Sequence, residues 1–96
     1  MLINKGFSTN DVVTLKLTSG EELVGRFVEE TDTHIKLSKI MVLTMGPQGV
    51  GMVPYLFTVE SDREIPISLS TVVVKVESAK DSASQYIQAT TGIKLA

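Results

Sequence analysis

A chain of 96 residues with 43% hydrophobic content and no cysteine has room for a single domain, residues 1–96, and excludes disulfides, zinc–thiolate sites and thiol nucleophiles. A net charge of −2 argues against a specific duplex-DNA binder, whose affinity comes mainly from neutralising phosphates, but leaves room for a local basic site. Met1–Phe7 is too short and broken for a signal peptide, and no apolar run nears the roughly 18–20 residues that span a bilayer, so the expectation is a soluble cytoplasmic protein without membrane contact.

The first element is predicted from Val12 to Thr18. Val13, Leu15 and Leu17 share one face and Thr14, Lys16 and Thr18 the other, the period-two pattern of a half-buried strand. Ser19-Gly20 makes a tight turn, and Glu22–Glu30 returns as a second strand with Leu23, Gly25 and Phe27 on one face. A glycine inside a strand marks a sharp bend or the close approach of another backbone, so Gly20 and Gly25 are both assigned structural roles. Arg26, near Glu29 and Glu30, is expected to form a surface ion pair.

Thr31–His34 reads as a turn, followed by a third strand carrying Ile35, Leu37, Ile40, Val42 and Leu43; the alternation slips near Lys39, where a bulge or bend is expected. Met45–Gly51 reads as a hairpin tip, Val53–Glu60 as a strand interrupted by Pro54, and Ser61–Glu64 as a polar turn. Ile65-Pro66-Ile67 leads through Leu69-Ser70-Thr71 into a last strand, Val72–Val76. Only the tail, about 80–92, looks helical. Ser82 and Gln85 have capping-box spacing, Ala83, Tyr86, Ile87 and Thr90 share a face, and Gly92 ends the helix. Five or six short strands with a glycine bend, in a core of about residues 11–76, point to a small SH3-like or OB-type barrel, and periodicity does not choose between the two.

Three segments choose. Leu17-Thr18-Ser19-Gly20-Glu21-Glu22-Leu23-Val24-Gly25-Arg26-Phe27 is similar to the first signature of the Sm-like family, a strand and a turn glycine with a second glycine five residues later. Asp32-Thr33-His34-Ile35-Lys36-Leu37 resembles the family's Asp-x-aromatic/His-apolar-Asn-Leu segment, with one extra residue between Gly25 and Asp32. Leu69-Ser70-Thr71-Val72-Val73 resembles the Ile-Ser-Thr-Val-Val stretch of the Hfq-type bacterial RNA chaperones. The resemblance, spanning about Val12–Val76, implies a mainly β protein: a strongly bent, five-stranded antiparallel Sm-like (SH3-type) barrel, here with a long hairpin between strands three and four and a short C-terminal helix.

It also implies a non-enzymatic homo-oligomeric ring without cofactor or metal. The subunits join edge to edge through Ile65 and Ile67 on one strand and Val72, Val73 and Val74 on another. Val72–Val74, with neither proline nor lysine among them, is the kind of edge that seeks a partner. Single-stranded RNA would be held near the pore, and the candidate residues are Asp32, His34, Lys36, Ser68 and Ser70. The chain departs from the family here. Lys36 stands for the base-reading Asn, and Pro66-Ile67-Ser68-Leu69 occupies the stretch where Arg-Gly or Lys-His is usual.

His34 is either an exposed turn residue or a base-stacking one; as the only histidine it has no company with ligand spacing for a metal. Lys36 is either part of a solvated strand face or one of a ring of pore cations whose fields add. Tyr55 and Phe57 fit core or interface packing better than base stacking. A second reading is an adaptor ring that binds no RNA and holds a protein partner through residues 45–55, where Met45, Val50, Met52, Val53 and Tyr55 form an adaptable apolar surface.

Overall fold

The first predicted strand is β1, Val12–Leu17, in a computed structural model that describes residues 6–91. Val13, Leu15 and Leu17 enter the main core, and Val12 is buried in a second, smaller cluster. At the Ser19-Gly20 turn, Leu17 N–H donates to Glu21 O and Gly20 N–H to Leu17 O, both at 2.9 Å. Gly20 has φ +105°, a left-handed value that a side chain would strain. The Ser19 hydroxyl donates to the Glu21 carboxylate and holds its pKa below the usual value, helped by Glu21's own N–H.

β2, Glu22–Glu30, runs antiparallel to β1 with Leu23 opposite Leu15 and Gly25 opposite Val13. A Cβ on Gly25 would lie 3.2 Å from both Leu37 Cδ1 and the Ser38 carbonyl oxygen, so the missing side chain relieves a tight crossing of β3 here. The β2–β3 register skips at this point and again between Phe27 and Glu29, two irregularities that bend the strand.

β3, His34–Gly46, is the longest strand. Lys39 has φ +52°, uncommon for a residue with a side chain, and this is where the alternation slips. Two strands share one edge of β3 on either side of that corner. β4, Gly49–Pro54, pairs with Met41–Gly46, and β5, Ile65–Ser68, pairs with His34–Leu37. A single 3₁₀ turn, Leu69–Thr71, leads to β6, Val72–Glu77, which pairs with β1. The strand order is β4-β3-β2-β1-β6 with β5 beside β3.

The sheet therefore has six strands, within the five or six read from the alternation and one more than the five the resemblance implies. The turn of the β3–β4 hairpin is only Pro47-Gln48, so the strands run well into the stretch expected to be irregular. Of the strand expected over Val53–Glu60 only Val53 and Pro54 form, as the end of β4. Tyr55 N–H makes a last bond to Ile40 O at 3.0 Å; beyond it β3 turns away at Lys39, and residues 55–64 cross the corner as irregular chain. Lys39 N–H donates to Ser61 O at 2.7 Å and pins that crossing. The sheet is bent enough for Ile67 of β5 and Val72 of β6 to pack on the same core, but it does not close, because β5 and β6 do not pair with each other.

α1, Lys80–Thr91, begins two residues before the expected cap at Ser82. Ala83 N–H already donates to Ala79 O at 2.8 Å, so Ser82 and Gln85 lie inside the helix, on its exposed side. Gly92 lies outside the described residues. The helix is anchored by Tyr86, fully buried against Val12, Val24, Met41, Leu43 and Met52, with Ala83 beside it. Ile87, expected on the same face, is exposed. The Tyr86 hydroxyl donates to Lys39 O at 2.5 Å, giving the carbonyl at the β3 corner a partner, and burial pushes the phenol pKa up to about 12 against an opposing influence from Arg26. Among the described residues no helix is long and apolar enough to cross a membrane.

Candidate binding rim

Thr31 builds the turn before β3: its N–H donates to His34 O at 2.8 Å, and its hydroxyl accepts from the N–H groups of Thr33 and His34. The turn is then tied across the molecule, since Leu69 N–H donates to Thr33 O at 2.8 Å and His34 lies opposite Ser68 in the β3–β5 register. On the other side Thr18 N–H donates to Thr71 O at 2.8 Å, which brings the Ser19-Gly20 turn alongside. Two segments far apart in sequence thus form one continuous polar rim.

The sequence candidates fall on it. Asp32 and His34 are exposed, and His34 Nδ1 lies 2.9 Å from the Thr33 hydroxyl, which fixes the ring's orientation. Ser68 Oγ lies 2.8 Å from Ser70 Oγ and also accepts from Ser70 N–H, while the Thr71 hydroxyl donates to Ser68 O. Lys36 sits two residues along β3, opposite Pro66. It is half-buried, with Nζ 3.3 Å from Glu29 Oε2, so its charge is partly committed before any anion arrives.

Arg26 does not make the expected ion pair. Its guanidinium donates to Asn10 O at 3.2 Å, while Glu29 is taken by Lys36 and Glu30 by Lys75. Bends in β2 and the fold-back of β6 decide these partners, and a linear pattern of charges does not encode them.

The residues expected at a subunit interface divide. Ile67 is buried in the chain's own core, and Ile65 and Val72 pack partly against it. Val73 and Val74 are exposed, Val73 to 62%, and so is Val76, which sequence reasoning did not single out. Each of β5 and β6 has one open edge among the described residues.

The apolar residues of 45–55 divide as well. Met45 and Val50 face each other across the hairpin and are 82% and 63% exposed, and Val53 is exposed. Met52 packs under the helix and Tyr55 on the core. Phe57, on the corner-crossing segment, is 80% exposed beside a cavity of about 180 Å³ lined by Ile40, Tyr55, Leu56, Val59, Arg63 and Ile65. Sequence reasoning also missed Phe7, whose ring meets Phe27 edge-on at 5.4 Å; its apolar character in a polar stretch was the available signal. No family model matches the chain, and no curated protein matches it.

Proposed function

We propose that this chain is a divergent Sm-like subunit that joins copies of itself edge to edge into a ring and holds single-stranded RNA weakly, without catalysis, on the rim formed by Asp32, His34, Lys36, Ser68 and Ser70. The observation that carries the reading is the tie between Thr33 and Leu69, with His34 opposite Ser68, because it unites the two segments that the resemblance assigns to RNA. Open edges on β5 and β6, with Val73, Val74 and Val76 exposed, support self-association, since an unpaired apolar edge recruits a strand. A head-to-tail contact of this kind either closes into a ring or grows into a filament.

The partly neutralised Lys36 and the net charge of −2 favour low affinity per subunit, raised by repetition around a ring. The test is fluorescence anisotropy with a labelled oligo-uridine over a range of salt. Binding weakens as salt rises because phosphate contacts release counterions, and Lys36→Glu lowers affinity by roughly tenfold or more. Binding by Lys36→Glu equal to that of the parent contradicts the assignment of this rim.

A second reading has one specific observation in its favour, the exposed Met45–Val50 pair at the hairpin tip. An adaptor ring would use this flexible apolar tip to hold a protein partner. Such a ring holds no RNA, and replacing both residues by Ser releases the partner while the assembly persists.

A further inference from the structure

β3 turns away at Lys39, β4 ends at Pro54, and β5 does not begin until Ile65. The chain between β4 and β5 crosses the corner on two backbone bonds. Tyr55 N–H donates to Ile40 O at 3.0 Å at its start, and Lys39 N–H donates to Ser61 O at 2.7 Å near its end. The space between the corner and the crossing is left unfilled, as a cavity of about 180 Å³. Because both ends of the crossing are tied to β3, the cavity is formed before any ligand arrives.

The floor of the cavity belongs to the core. Ile40 is buried in the main cluster, and Tyr55 and Ile65 pack against it. Leu56 and Val59 complete the apolar lining and are each 39% exposed, with Phe57 beside them at 80%. Three exposed apolar side chains on one short segment are a surface built to be covered. A cavity of about 150 Å³ with such a lining holds benzene, so this one has room for a benzyl or isobutyl group.

The polar lining is Glu60, Ser61 and Arg63. Arg63 N–H donates to Glu60 O at 3.0 Å and closes a turn, which keeps the two Cα atoms within about 7 Å of each other. A carboxylate and a guanidinium thus stand side by side at an apolar cavity. Neither enters an ion pair among the described residues, where Lys36 pairs with Glu29 and Lys75 with Glu30.

This pair of charges narrows the ligand. A hydrocarbon would leave both charges unused. An apolar acid would meet Glu60, and an apolar amine would meet Arg63, each a like-charge contact. The terminus of a peptide carries one of the two complementary charges, and an internal residue carries neither. A free α-amino acid carries both on adjacent atoms, with its side chain directed away from them. We propose that the corner cavity binds a free apolar α-amino acid, its side chain among Ile40, Tyr55, Val59 and Ile65, its carboxylate on Arg63 and its ammonium on Glu60. Arg63 suits the carboxylate, because a planar guanidinium offers two parallel donors. None of these residues belongs to the rim, and the site requires neither the ring nor RNA.

Titration of the isotope-labelled protein with L-phenylalanine and with L-leucine, followed by NMR, tests the proposal. The expected result is saturable shifts at the amides of Tyr55, Val59 and Ile65 at millimolar ligand. Glu60 and Arg63 are exposed, so Glu60→Gln and Arg63→Gln keep the fold, and each weakens binding by roughly tenfold. Phenylpropanoate and phenethylamine, each lacking one charge, bind the parent protein more weakly by a similar factor. No saturable shift with either amino acid up to about 50 mM, where even weak small-ligand binding registers, overturns the proposal. Binding by the single-charge analogues or by both variants that equals that of L-phenylalanine to the parent also overturns it. Tighter binding of the uncharged N-acetylphenylalanine amide overturns it as well and assigns the cavity to an apolar side chain of a protein partner.

Discussion

β3 is one strand with two environments. From His34 to Ser38 it lies between β2 and β5, its inward residues Ile35 and Leu37 are fully buried, and its outward residues are polar. Beyond Lys39 it lies between β2 and β4 only as far as Val42, and from Leu43 to Gly46 it has β4 alone. The same hydrophobic alternation thus gives a core in one half and an exposed apolar tip in the other. Period two decides which side chains share a face; whether the face is covered depends on how many strands reach it.

The comparison breaks most clearly under truncation. Leu37→Ala in the first half lowers unfolding free energy by about 2–5 kcal/mol, the range for emptying a buried Leu site. Met45→Ala in the second half stays within about 0.5 kcal/mol, as surface changes do. Chemical denaturation of both variants checks this, and equal losses would mean that the two halves are not distinct.

The crossing at Gly25 comes next. Gly25→Ala places a methyl group against the Ser38 backbone, which cannot give way as a side-chain tip can, and lowers stability by about 1–3 kcal/mol. The same denaturation curves measure it, and a neutral effect would show that β2 and β3 can move apart at the bend.

An effect of similar size sits at the corner that divides the halves. Tyr86→Phe keeps the packed ring but removes the donor to Lys39 O, at a cost of about 1–3 kcal/mol for the carbonyl left unpaired. The pH dependence sharpens the point. The phenol's pKa rises on folding from 10.0 to about 12, so its stabilising contribution is complete below pH 10 and is lost as pH rises toward 12. Thermal melts across that window fall more steeply for the parent than for Tyr86→Phe, in which this titration is absent. Identical slopes would place the phenol in water.

Much of the first half was legible from the sequence. Val13, Leu15 and Leu17 fall where alternation puts them, Gly20 has the turn conformation, Gly25 marks the crossing, and the slip at Lys39 marks the corner. What was not legible depends on long-range pairing. The pattern of residues 53–60 reads as a strand, but only Val53 and Pro54 pair with β3, which turns away at Lys39 and leaves the rest irregular. Ile67 has the character of an interface residue and is used in the core, and Lys36 and Arg26 acquired partners that only the bent sheet brings near. At the candidate rim the sequence named the residues, and the fold added that Thr33 and Leu69 hold their two segments together.

The most direct test is a native mass spectrum of the purified chain, recorded with and without a short oligo-uridine. The expected result is a discrete assembly of roughly five to eight copies, with a further shift of one oligonucleotide when RNA is present. A monomer under both conditions would contradict the edge-to-edge assembly on which the proposed function rests.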